Sequence, residues 1–483
     1  MCPQTRKNVL KPFRYTSCCT LQASHSPMTT SAASLPEALT AQILQHVPQQ
    51  QRLQQCALVC KAWASAAALA TIHVQQKLKP GQATSAFESW LQKYAGQPES
   101  LELSCSDWNT QPQLRLCSLA KLQRLRLQGL KLLLPGQEEG SDACACVGTN
   151  CPAPLLPSLQ HLELSSVQLA SSSSLVQLAA GAQGLTSFRT RGITIGQVEF
   201  RCVVSHMDDS QKPAVQQMAA AITGLLQQLP RLAVLELLGF PVSDAAMQQL
   251  GGMQGLQEVS LEHVDHMPMC KLQHLPSSVT QLHLQGNSLQ TEAFARPSMP
   301  PQLQQLAGLL RLELRSCAVP PTVLGAFTRL QVLKLASCTL LPAPDDVDDE
   351  EVVFETEGTA ALLDVLAGMT CLQDLELSLR GLDTVSTAPQ RFSALTASTQ
   401  LTRLAVDPYS STPLAKGAAR HMFPAGRQLP QLHELTIMPD DAGSDWPLTQ
   451  WCIDSADIHS IASCCIGLQT LDLGHSVRPG AEV

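Results

Sequence analysis

One pattern recurs through most of the chain, Leu-x-x-Leu-x-Leu. It occurs at Leu122/Leu125/Leu127, Leu159/Leu162/Leu164, Leu232/Leu235/Leu237, Leu309/Leu312/Leu314, Leu330/Leu333/Leu335 and Leu372/Leu375/Leu377. Conservatively altered copies stand at Leu256/Val259/Leu261, Val279/Leu282/Leu284, Leu401/Leu404/Val406, Leu432/Leu435/Ile437 and Leu468/Leu471/Leu473. Leu101/Leu103 is a partial first copy and Leu185/Phe188 a weak one. In extended chain, alternate side chains share a face, so each Leu-x-Leu presents two leucines inward. Helical pieces precede several copies, as in LQQLPRLAVLEL, LAGMTCLQDLEL and IASCCIGLQTLDL. No single unit can bury its apolar side, but a stack of units can. The expected fold is therefore an α/β solenoid, a curved parallel sheet on the concave face with helices outside.

The unit resembles the leucine-rich repeat, over some 370 residues. The spacings from Leu312 to Leu333 (21 residues) and from Val259 to Leu282 (23 residues) set its minimal length. Longer spacings then contain insertions, expected at 135–157, 196–212, 342–358, 407–428 and 439–457. In the repeat, the residue following the strand turns inward and satisfies backbone groups in a ladder. Asn287, Cys317 and Cys338 occupy that place. Cys371, Cys464 and Cys465 fall in helical or pre-strand segments, where a small apolar side chain suits the packing.

Ahead of the repeats lies a different stretch, 34–75. Ser34 with Glu37 three residues on, and Pro36 in the first turn, make a helix start. Leu39, Ile43, Leu44 and Val47 follow at helical spacing, and Pro48 ends the helix. Leu53, Cys56, Val59, Cys60 and Trp63 mark a second helix. About 40 residues is the size below which a domain rarely holds without a partner, metal or disulfides. The order Leu35-Pro36, Ile43-Leu44, Val47-Pro48, Val59-Cys60-Lys61-x-Trp63 resembles the F-box. Gln49, Gln50 and Gln51 depart from it, standing where the family usually has charged residues.

Residues 1–33 hold Arg6, Lys7, Lys11 and Arg14, no acidic residue, and many Ser and Thr. They are expected to be a disordered tail; the composition also suits a transit peptide, and Met28 is a possible start. After Pro80 and Gly81 a helix is expected with Ser85 and Glu88 as capping box and Phe87, Leu91 and Tyr94 on one face. Repeats are expected over 80–483.

Composition narrows the function. Charged residues are 15% against about 25% in typical chains. The net charge of −8 argues against a nucleic-acid partner, and no apolar run is long enough to span a membrane. The 18 cysteines show no disulfide framework, which points to a cytoplasmic or nuclear protein with reduced thiols. Cys144, Cys146 and Cys151, with His161 as fourth ligand, make a weak match to zinc spacing, and no metal or cofactor is expected. The run Asp345 to Glu357, eight carboxylates in 13 residues, lacks the pattern of a calcium loop. No catalytic motif occurs.

Function is then expected on the concave face, whose side chains flank the strand leucines. They include Arg124, Arg126, His161, Glu163, Glu258, Glu262, His283, Asp374, Glu376, Arg403, Glu434 and Asp472. The expected substrate patch is Arg311, Glu313, Arg315 and Lys334, three cations and one anion on two closely spaced strands. F-box proteins with leucine-rich repeats resemble the substrate receptors of SCF-type cullin–RING ubiquitin ligases. That resemblance implies a Skp-family adaptor docked by residues among Leu35, Pro36, Leu39, Ile43, Leu44, Val47, Leu53, Val59 and Trp63. It also implies a cullin in the assembly and a protein substrate on the repeats. The alternative is a leucine-rich-repeat scaffold, cytoskeletal or axonemal, with no ligase role.

Overall fold

The computed structural model describes residues 37–47, 51, 55, 66–67, 72–79, 84–107, 111–134, 155–195, 198–200, 212–240, 242–262, 269–286, 305–340, 353–379, 389–407, 417–437 and 453–473. The chain divides into two compact units, Met1–Ala70 and Thr71–Val483.

In the first unit, the helix Glu37–Gln45 is followed by a turn at 46–47. Its inner side is Thr40, Ala41 and Leu44, and a small cluster joins Ala41 and Leu44 to Ala66 and Ala67, with Val47 packed against it. The sequence placed Leu39, Ile43, Leu44 and Val47 on one face. The helix instead divides them. At about 100° per residue, Leu44 turns inward while Leu39 and Ile43, four apart, turn outward together. Ser34, Leu35, Pro36, Pro48, Leu53, Val59 and Trp63 lie outside the described residues.

The second unit is built on one long sheet. Among the described residues, fourteen strands follow one another across it in chain order, each parallel to the next. The register is the repeat itself. Leu101, Leu125, Leu162, Phe188, Leu235, Val259, Leu282, Leu312, Leu333, Leu375, Leu404 and Leu435 are successive partners, and all are buried. Each unit thus buries its leucines against those of its neighbours, the stacking that a unit alone cannot achieve. Leu471 continues the series but is 43% exposed. This is a leucine-rich-repeat solenoid.

The helices before the strands form where expected at Lys212–Gln227, Asp244–Gly251, Val353–Gly368 and Ser455–Cys464. The segment LAKLQRLRL, also expected to begin as a helical piece, instead has a turn before the strand Arg124–Gln128. Behind the first repeats runs a second, five-stranded sheet, from Gln113–Arg115 through Lys131–Leu133, Gln168–Leu169 and Ile193–Ile195 to Val198–Phe200.

Several expected boundaries move. The strand His73–Leu78 pairs in parallel with Ser100–Cys105, so the sheet begins at 73, across the boundary drawn at 75 to 80. Part of the 342–358 insertion is helix from Val353, and part of 407–428 is the short helix Ala418–Met422. The 439–457 stretch ends in the start of Ser455–Cys464, capped by Asp454. The helix Ser85–Lys93 has Thr84, not Ser85, as its cap residue, and Glu88 accepts a bond from the Arg115 amide at 2.7 Å. The glutamate therefore ties the helix to the second sheet rather than closing a capping box with Ser85.

The turn after the strand explains the cysteines. Gly129, Ser166, Gly192, Gly239, Ser316 and Ser337 occupy one repeat position, and all have positive φ. A Cβ on Gly129 would lie 2.3 Å from the Cys105 carbonyl oxygen, so glycine is required there. The left-handed residue turns the next side chain inward. Cys317 and Cys338 are those next residues, both buried. The Cys317 thiol donates to the Leu284 carbonyl at 3.7 Å and that of Cys338 to the Leu314 carbonyl at 3.3 Å, each on the preceding strand. Burial pushes the Cys338 thiol up to about 11. Asn287 lies outside the described residues.

Candidate functional site

The face of the sheet opposite the core carries three rows of side chains, one from each outward position of the strands. Its central row, in sheet order, is Glu102, Arg126, Glu163, Arg189, Glu236, Ser260, His283, Glu313, Lys334 and Glu376. Over the first five places the charge alternates, so unlike charges stand about 4.8 Å apart across the strands. Arg126 bridges Glu102 (3.6 Å) and Glu163 (3.1 Å). Arg189 reaches Glu236 (3.7 Å) and Glu258 (3.2 Å). Further along, Arg403 holds Asp374 (3.3 Å), Glu376 (2.8 Å) and Glu434 (3.1 Å).

The expected patch is only partly a unit. Glu313 accepts from Arg311 Nε at 2.8 Å and is 3.0 Å from His283 Nδ1. Lys334 turns the other way, to Asp374 (3.6 Å) and Glu376 (3.4 Å) on the next strand. The local basic bias drawn from the sequence is thus largely cancelled by carboxylates. Arg311, Glu313 and Arg315 line a hollow of about 790 Å³ that Lys334 does not reach. Its other walls include Arg191, Glu236, Leu238, Glu258, Ser260, Glu262, His283 and Gln285, with Ser166 at one side. Arg189, Arg191 and Glu236 were not placed on this face from the sequence. The signal was Leu185-x-x-Phe188, which sets Arg189 and Arg191 outward once Phe188 is read as a full strand position.

Two side chains of this face have shifted protonation, for different reasons. His161 is held below the usual histidine range, first by burial and then by Arg124 and Arg189. It sits on the strand His161–Ser165. Cys144, Cys146 and Cys151, which with His161 made only a weak match to zinc spacing, lie outside the described residues. Glu313 is held down to about 2, foremost by the hydrogen bond from His283 and further by Arg311, against the opposing effect of burial. A carboxyl with a depressed folded pKa adds stability above its unfolded value, near 4.5, and loses it as pH falls toward 2. Wild type should therefore melt higher than Glu313→Gln at pH 6 and no higher at pH 2. Melting curves across that range check this; a gap independent of pH contradicts it.

In the first unit, two large apolar side chains stand on the outward helix face among exposed Gln42, Gln45 and His46. Leu39 and Ile43 are 43% and 51% exposed, while Leu44 is 1% exposed and belongs to the unit's own core. A family model described as F-box-like matches residues 32–71. The chain carries an F-box-like domain ahead of leucine-rich repeats. The F-box-like match stops just before the first strand of the sheet, His73–Leu78. Similar solved structures include a leucine-rich-repeat protein of Leptospira interrogans, 17% identical over 91% of this chain and 94% of that one, with a TM-score of 0.43. Another is the leucine-rich-repeat protein LegL7 of Legionella pneumophila, 13% identical over 63% of this chain and 90% of that one, with a TM-score of 0.31. No curated protein sequence matches the chain. F-box-like domains and leucine-rich repeats are typically non-catalytic interaction modules. Among the described residues, no helix is long and apolar enough to cross a membrane.

Proposed function

We propose that the chain is the substrate-recognition subunit of an SCF-type cullin–RING ubiquitin ligase. The F-box-like domain docks a Skp-family adaptor, and through it a cullin. The repeats hold a protein substrate for ubiquitination and proteasomal degradation. The chain performs no covalent chemistry. It raises the effective concentration of substrate lysines near the charged ubiquitin-conjugating enzyme.

The observation that carries this reading is the F-box-like match with two neighbouring large apolar side chains, Leu39 and Ile43, left open on its helix. Exposed apolar surface of this kind on so small a module favours a protein cover. Leu35, Pro36, Val47, Leu53, Val59 and Trp63 complete the proposed adaptor contact. Leu44 supports it from within. The described cysteines are free thiols, which suits a cytoplasmic or nuclear setting.

Affinity purification of the tagged full chain, with the proteasome inhibited, tests the assignment. The adaptor and a cullin are expected among the proteins recovered. Recovery of cytoskeletal or axonemal proteins with neither of these would support the scaffold reading instead.

A further inference from the structure

The first five strands of the long sheet, His73–Leu78 to Ser187–Arg191, differ from the rest in their outward side chains. On one side of the central row stand His73, Ser100, Arg124, His161 and Ser187. On its other side stand Lys77, Ser104, Gln128, Ser165 and Arg191. Neither flanking row holds a carboxylate here, and every place in both can donate a hydrogen bond. Further along the sheet the same two rows carry Glu258, Glu262, Asp374, Asp407 and Glu434. The two carboxylates of the region, Glu102 and Glu163, lie in the central row, and Arg126 holds both. Among the described residues, Lys77, Arg124 and Arg191 form no ion pair, and the hydroxyls of Ser100, Ser104, Ser165 and Ser187 make no hydrogen bond within the chain.

We propose that this five-strand region binds an aspartate- and glutamate-rich segment of a protein partner, whose carboxylates meet Lys77, Arg124 and Arg191 and the serine hydroxyls beside them. The central row takes no part, because its Glu102–Arg126–Glu163 pairs are already complete. The partner addresses the two flanking rows, which lie about 13 Å apart along the strands. The region is about 19 Å wide across its strands, a width that about six residues of extended chain span.

Charge complementarity favours this occupant. Arg189 is drawn to Glu236 and Glu258 at the border of the region, which leaves Lys77, Arg124, Arg126 and Arg191 against Glu102 and Glu163 inside it. The chain as a whole carries a net charge of −8, so this cationic excess is local. At physiological ionic strength exposed charges beyond about 8 Å are largely screened, and a docking segment responds to the local excess. His161, in the middle of the region, registers the same field. Beyond the effect of burial, Arg124 and Arg189 on the two adjacent strands hold it below the usual histidine range. A carboxylate entering beside it opposes that effect. The arginine fork and the hydroxyls both suit carboxylate oxygens, and the strands that present them are fixed in the sheet, so little ordering is lost on binding. This deepens the substrate-receptor reading by giving the substrate's charge, but the surface lies wholly on the repeats and does not depend on the F-box-like domain.

The test uses the full chain and three labelled peptides on a neutral Gly/Ser/Ala backbone. One is rich in glutamate, one has every Glu replaced by Gln, and one has every Glu replaced by Lys. The first should bind, the other two at least about tenfold more weakly. Arg124→Glu/Arg191→Glu should weaken the glutamate peptide at least about tenfold with melting little changed, because neither arginine holds an ion pair within the chain. Lys77→Gln should weaken it as well. Arg231→Glu/Arg329→Glu makes the same charge change at exposed arginines in turns outside the region, and should leave binding within about twofold. Equal binding of the glutamine peptide, an equal loss from the Arg231/Arg329 variant, or no binding of any peptide overturns the proposal. An RNA oligonucleotide bound as tightly as the glutamate peptide would make the surface a general polyanion site and overturns it too. Adaptor binding is measured on the same samples. Adaptor capture without the peptide preference sinks this inference alone; the preference without adaptor capture sinks the ligase reading alone.

Discussion

The double variant Leu39→Asp/Ile43→Asp should lose adaptor binding by at least about 100-fold, with the melting of the repeats unchanged. Each change puts a carboxylate where the proposed interface is apolar, and burying an unpaired charge costs several kcal/mol. Both side chains are about half exposed in the chain, so the substitution should cost the fold far less than it costs the interface. Leu44→Asp makes the contrast. Its side chain is buried with Ala41, Ala66 and Ala67, so that change should unfold the small unit outright. Binding titrations together with far-ultraviolet melting separate the two. If Leu39→Asp/Ile43→Asp binds as tightly as wild type, the adaptor does not use this helix face.

The second large effect is in the sheet. Phe188→Ala should destabilise the repeats by about 3–5 kcal/mol, the cost of removing a fully buried aromatic side chain. Phe188 stands in the leucine series between Leu162 and Leu235, so its loss opens a cavity between two neighbouring strands. Phe188→Leu, which restores the repeat's own residue, should cost less than about 1.5 kcal/mol. Because a repeat array can open locally, limited proteolysis near 187–191 should be read beside the thermal midpoint. A cost below about 1 kcal/mol for Phe188→Ala would mean that this repeat is not stacked as described.

Most of the sheet was legible because its period is short. Leu-x-Leu sets two inward positions directly, and the registers then follow copy by copy. The two strands that were missed or undervalued lack that signature. Ser187–Arg191 has Phe188 and Thr190 inward in place of two leucines. His73–Leu78 has Val74 and Leu78 inward with an exposed glutamine midway, so no alternation shows. The candidate site was less legible. Lys334 read as a free cation because its partners Asp374 and Glu376 lie across an insertion, and only the sheet brings them together. In the F-box-like domain the motif was legible and the helix faces were not, since one residue's difference in position turns a side chain by about 100°.

The central claim is that the F-box-like domain is a working adaptor dock. Mixing the purified full chain with a purified Skp-family adaptor and measuring the mass of the product by size exclusion with light scattering tests it most directly. A stable one-to-one complex is expected from wild type, with none from Leu39→Asp/Ile43→Asp. Two separate species for wild type, with every repeat folded, would contradict the account.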